Sequence, residues 1–160
     1  RTWQFRLGVA SVFDDPSAQQ ALPDLDTVEL CYHPLHKNSA LQLLAWLAVQ
    51  AGWSKRPSGG RFAFVTPNGT PLSILLQECP AGPALSSLVL RAGKKSARIT
   101  QSAGSAHVER RVEAPGYSVS SLSPADPTAP EELVALQLAR GGNNSLFRKI
   151  LPHFRQMLEE

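Results

Sequence analysis

The sharpest pattern of apolar and polar positions lies between Leu25 and Trp53. From Leu25 to Tyr32 the chain alternates Val28, Leu30 and Tyr32 against Thr27, Glu29 and Cys31, the signature of a half-buried strand. Pro34 cannot donate to a ladder, so the strand is expected to stop near His33. From Ala40 to Ala51 only Gln42 and Gln50 are polar. A surface helix needs one apolar stripe, so a helix apolar almost all the way round must be covered on several sides. Asn38 or Ser39 is the expected N-cap. Gly52 is placed to end the helix in a left-handed conformation, with Trp53 folding back on the last turn.

Upstream, Trp3, Phe5, Leu7 and Val9 alternate, which favours a strand, with a short helix as the alternative; Asp14-Asp15-Pro16 then breaks the pattern. Downstream, Arg61–Thr66 and Pro71–Gln77 flank Pro67-Asn68-Gly69-Thr70, a hairpin signal. Leu85–Arg91 and Ser96–Gln101 form a second pair around Gly93-Lys94-Lys95, and Ala106–Val112 reads as a further strand. Ala114–Pro130 is rich in proline and serine and reads as a linker or exposed loop. Thr128-Ala129-Pro130-Glu131 is a capping-box pattern, predicting a helix to Arg140 that Gly141-Gly142 stops. A last helix is expected from near Asn144, with a kink or restart at Pro152. The predicted fold is α+β: an antiparallel meander of five to six strands on a buried central helix (about 39–51), with two C-terminal helices.

Composition narrows the class without choosing a function. The chain has 160 residues, 42% hydrophobic and 18% charged, which suits one globular domain spanning 1–160. A net charge of +3 and a pI of about 9.1 permit an acidic partner, but the dense basic stripe of a dedicated nucleic-acid binder is missing. No apolar run approaches the ~18 residues of a membrane span. With no secretory signal pattern and no initiator Met, the expectation is a cytoplasmic chain that is a fragment of something longer. Cys31 and Cys79 are read as buried thiols in a reducing cytoplasm, since free cysteine packs as a small hydrophobe, with a regulatory disulfide as the alternative.

Candidate chemistry is sparse. Cys31, His33 and His36, with Cys79, could ligate zinc, but without a Cys-x-x-Cys knuckle the plainer reading is a strand-end thiol and two solvent-facing imidazoles. His107 and His153 are read as ordinary surface or edge residues. There is no Gly-x-Ser-x-Gly elbow and no Gly-x-Gly-x-x-Gly fingerprint. Gly93-Lys94 is not a phosphate loop, because Lys95 stands where Ser or Thr is needed and Leu88 where the first Gly belongs. Acidic pairs fall in loops or at a helix start, where the macrodipole explains them. Lys94, Lys95 and Arg98, with Arg110 and Arg111 if these lie adjacent, could hold an anionic partner; the plainer reading is a solvated hairpin edge. Loops carry function disproportionately, so His33, His36, Lys37 and Trp53 are further candidate partner contacts, while Trp46 is expected in the core. The residues favour a binding or regulatory module over an enzyme, with no cofactor of its own.

The segment Tyr32–Trp53 resembles the glucose-6-phosphate dehydrogenase assembly protein family (the OpcA family), specifically its C-terminal domain. That family shows a strand, a polar gap and an Ala-Leu-rich helix ending in a Gly-Trp-Leu-Ala-Ser-x-Leu-x-Trp type motif. Here the matching run is Ala45-Trp46-Leu47-Ala48-Val49-Gln50-Ala51-Gly52-Trp53, with Ala45 for the usual Gly and Val49 for the usual small polar residue. Trp3-Gln4 and Phe13-Asp14-Asp15-Pro16 look like the family's upstream elements, and Glu131–Arg140 with Leu146-Phe147 like its closing helices. Where the family has an acidic, Tyr-containing segment, this chain has basic Asn143–Lys149. The resemblance implies a bacterial, cytoplasmic, non-catalytic factor that binds glucose-6-phosphate dehydrogenase and promotes its active assembly, the NADP and sugar phosphate belonging to that partner. The alternative from the residues alone is an anion- or nucleic-acid-binding module using Lys94, Lys95 and Arg98.

Overall fold

The computed structural model describes residues 2–56, 59–125 and 145–158. Two helices open the chain, α1 (Trp3–Phe13) and α2 (Pro16–Ala21). Strand β1 (Thr27–Tyr32) leads through a 3-10 turn (Pro34–His36) into α3 (Lys37–Gln50). Then come β2 (Ser54–Lys55), β3 (Phe64–Val65), β4 (Pro71–Glu78), β5 (Leu85–Ala92), β6 (Lys95–Thr100), β7 (His107–Ala114) and β8 (Tyr117–Pro124). Helix α4 (Ser145–Leu158) closes the described chain.

The eight strands form one mixed sheet in the order β2-β3-β4-β1-β5-β6-β7-β8. It exceeds the expected meander in strand number and differs in topology. β1 sits between β5, antiparallel to it, and β4, parallel to it. A parallel return needs a crossover, commonly a helix, and α3 is that element. The meander holds from β5 to β8, where each strand pairs antiparallel with the next.

α3 is the interior helix its pattern demanded. Its side chains from Ala40 to Ala48, Gln42 excepted, are buried. It touches β1 on one side and α4 on another. Gly52 has φ +67°, and the Trp53 amide donates to the Ala48 carbonyl at 2.9 Å, the six-to-one bond of a Schellman stop. The start differs from expectation. The helix begins at Lys37, ahead of the expected caps, because the 3-10 turn feeds directly into it. The cap acts on that turn, where His33 Nδ1 accepts from the Leu35 amide at 3.2 Å.

The N-terminal strand expectation is corrected to helix. Phe5, Gly8, Val9 and Val12 are the buried positions of α1, at helical spacing, while Trp3 and Leu7 are exposed. α1 lies so close to β6 that a Cβ on Gly8 would stand 3.2 Å from Ile99 Cγ2. Asp15 caps α2, accepting from the Ser17 and Ala18 amides at 2.8 and 3.2 Å, with Pro16 at the first helical position.

Part of the expected linker is also corrected. Residues 117–124 are the edge strand β8, paired with β7 from Ala114↔Tyr117 to His107↔Pro124. Pro115-Gly116 makes the turn, Gly116 at φ +73°, the proline-then-glycine order of a type II turn. The Asn68-Gly69 and Gly93-Lys94 turns form as expected. The helix expected over 131–140 lies outside the described residues. α4 runs through Pro152 as one helix, so there is no restart there. Its Ile150 and Met157 are buried, and His153 packs against Phe64 with ring centroids 6.2 Å apart.

The cysteine expectation is overturned as well. Cys31 and Cys79 are bonded to each other and half-buried. The parallel pairing of β1 with β4 brings their Cα atoms to 6.0 Å, within ordinary disulfide reach.

Two stability outcomes follow from this architecture. Leu44→Ala, at a fully buried α3 position, should cost about 2–5 kcal/mol by chemical denaturation. Cys79→Ser, or reduction of the bond, should lower stability by up to about 4 kcal/mol, because the cross-link closes a long loop in the unfolded chain.

Candidate functional site

The pleat divides the sheet into two unlike faces. Val28, Leu30, Leu88, Leu90, Ala97 and Ile99 point into the core under the helices. The intervening residues form the other face, which no described helix covers. Register aligns them into rows. The central row reads Leu75, Glu29, Val89, Arg98, Arg111, Ser120 across β4, β1, β5, β6, β7 and β8. Arg91, Ser96 and Glu113 flank it on one side, and Ser87, Thr100 and Glu109 on the other.

This open face is a mosaic of charges. Arg91 Nε meets Glu29 Oε1 at 3.0 Å across β5 and β1. Arg111 is bracketed along its own strand by Glu109 at 3.1 Å and Glu113 at 3.8 Å. Ser120 and Ser96 donate to those two carboxylates at 3.2 and 3.3 Å. Arg98 is exposed and has no ion-pair partner among the described residues. It lies directly across from Arg111, with a shallow depression between them lined also by Thr100, Glu109 and Glu113. Such exposed pairs contribute little to stability individually. They do set what the surface can accept.

The predicted contact residues do not gather at one place. Lys95 and Arg98 lie on opposite faces of β6, since residues an odd number apart on a strand point opposite ways. Lys95 faces the helix side, close enough to act on Asp15, and helps line a small apolar cavity. Lys94 is at the hairpin tip, where the neighbouring Gly93 amide donates to Asp26 at 2.8 Å. Arg110 and Arg111 diverge in the same manner, Arg110 donating to Ser11 on α1. The basic residues of the anion- or nucleic-acid-binding alternative are therefore dispersed over both faces and the hairpin tip.

His33, His36 and Lys37 stand at the far end of β1 from Lys94, in the turn that enters α3. The two imidazole rings lie 5.7 Å apart, and Leu35 between them is 85% exposed. Cys31 cannot join them as a thiolate ligand because its sulfur is bonded to Cys79. Among the described residues no three His, Cys, Asp or Glu side chains converge in a metal-binding group. Trp53 is only 4% exposed and packs against Phe64, which places it beneath the surface; Trp46 is in the core as expected.

The residues that sequence reasoning missed are Glu29, Arg91, Glu109 and Glu113. Glu109, Arg111 and Glu113 recur at every second position of β7, a period that puts all three on one face.

A family described as the C-terminal domain of a glucose-6-phosphate dehydrogenase subunit matches residues 1–151. The chain belongs to that family. No curated protein matches it. No described helix is long and apolar enough to cross a membrane.

One electrostatic contact ties the sheet's outer edge to the N-terminal helices. The Tyr117 hydroxyl donates to Asp15 at 2.6 Å and holds that carboxyl below the usual carboxylate range, helped by the Ala18 and Ser17 amides. A depressed carboxylate pKa contributes stability that is present above the unfolded value and lost as pH falls through the folded one. Tyr117→Phe should therefore raise the Asp15 pKa, read by carboxyl-carbon NMR titration, and weaken the acid dependence of unfolding.

Proposed function

We propose that this chain is the C-terminal domain of a non-catalytic factor that binds glucose-6-phosphate dehydrogenase and favours its active oligomeric state. The observation that carries the reading is the family match over residues 1–151. The described residues support it by what they offer: a sheet with a broad mixed-charge face. On this reading the factor works in the cytoplasm, in the oxidative branch of the pentose phosphate pathway.

Such a factor acts by differential affinity. It shifts its partner toward the assembled form only as far as it binds that form more tightly. At a hundredfold excess over its dissociation constant, exclusive binding to one state contributes about 2.7 kcal/mol in favour of that state. NADP and sugar phosphate stay with the dehydrogenase.

Mixing the full-length protein with its cognate dehydrogenase tests this directly. Light scattering should show a complex and a larger dehydrogenase assembly, and steady-state kinetics should show a lower KM for glucose 6-phosphate or a higher kcat. Absence of both the complex and the kinetic change would sink the proposal.

A further inference from the structure

We infer that the open sheet face is the docking surface, and that it receives a protein segment whose carboxylate enters between Arg98 and Arg111. This inference rests on the dehydrogenase-binding reading and names the face that performs it.

Charge complementarity selects the occupant. Like charges directly opposite on an antiparallel pair are unfavourable, and Arg98 stands opposite Arg111. Arg111 is already served by Glu109 and Glu113, whereas Arg98 has no acid among the described residues. A carboxylate arriving from outside turns that repulsion into a bridge, and guanidinium forks match carboxylates in two-bond geometry. The acids on either side decide the chemical class. A nucleic-acid backbone or a free phosphate, bearing only negative charge, would meet Glu109 and Glu113 beside the two arginines. A protein surface of alternating sign satisfies both, placing a carboxylate on Arg98 and cations on the glutamates. At the other end of the same row Leu75 is 53% exposed and supplies an apolar contact. Charge mosaics of this kind give an interface its register and specificity.

The test uses the full-length protein and its cognate dehydrogenase, with binding measured by interferometry at low and physiological salt. Arg98→Glu should weaken binding by about tenfold or more. The same substitution should hold or raise the protein's thermal midpoint, since it replaces a repulsive cross-strand pair with an attractive one, so weak binding cannot be blamed on misfolding. Lys95→Gln, on the opposite face, should leave affinity unchanged. If wild-type protein binds and Arg98→Glu binds equally well, the docking face lies elsewhere and this inference alone is overturned. It is equally overturned if Arg98→Glu alters only self-association, or only the binding of inorganic phosphate or an oligonucleotide. If wild-type protein does not bind the dehydrogenase at all, the proposed function falls and takes this inference with it.

Discussion

A helix that is apolar almost all the way round has no stable place at a surface, and the fold is arranged around satisfying α3. Leu41, Leu43, Leu44 and Leu47 cannot all face one neighbour. The sheet covers one flank and α4 another. That demand accounts for features that look separate. It explains why the chain leaves β1 by a helix and returns through β3 and β4, which makes the β1–β4 pairing parallel. It explains why the last described helix, remote in sequence, packs here and reaches Phe64 through His153. It also explains the abrupt stop at Gly52, since Trp53 must turn back into the core to close the end of the cylinder.

With one face of the sheet committed to the helices, the other is covered by no described helix. The consequence is a sorting of charge by the two-residue period of the strands. Arg110 goes inward to Ser11 and Arg111 outward to Glu109; Lys95 goes to the helix side and Arg98 to the open side. Residues adjacent in sequence thus serve different surfaces. A net charge of +3 says nothing of this, because the open face itself is nearly balanced, with Arg91, Arg98 and Arg111 set against Glu29, Glu109 and Glu113.

What was legible from the residues follows the strength of local signals. The interior helix, its glycine stop, the Asn68-Gly69 and Gly93-Lys94 turns and the α+β class were all visible, because each depends on neighbours in sequence. α1 was misread because Trp3, Phe5, Leu7 and Val9 alternate by coincidence; the deciding set was Phe5, Gly8, Val9 and Val12, in which glycine hides its role as a close-packing site. β8 was missed because serines mask its period, although Pro115-Gly116 marked the turn before it. The mixed topology and the Cys31–Cys79 bond were beyond local reading, since both arise from strands that become neighbours only after α3 has crossed the sheet. The candidate face was half legible: Arg98 was singled out, but the register that sets it against Arg111 exists only in the folded sheet.

The bond between Cys31 and Cys79 ties the end of β1 to the residue just after β4. Everything between them, α3 included, becomes a covalent ring threaded into the middle of the sheet. A single backbone cut inside that ring would leave one joined molecule, its two pieces held together by the sulfur–sulfur bond. A nick in the long return from α3 to β4 would therefore not free β4, or the strands that follow it, from β1.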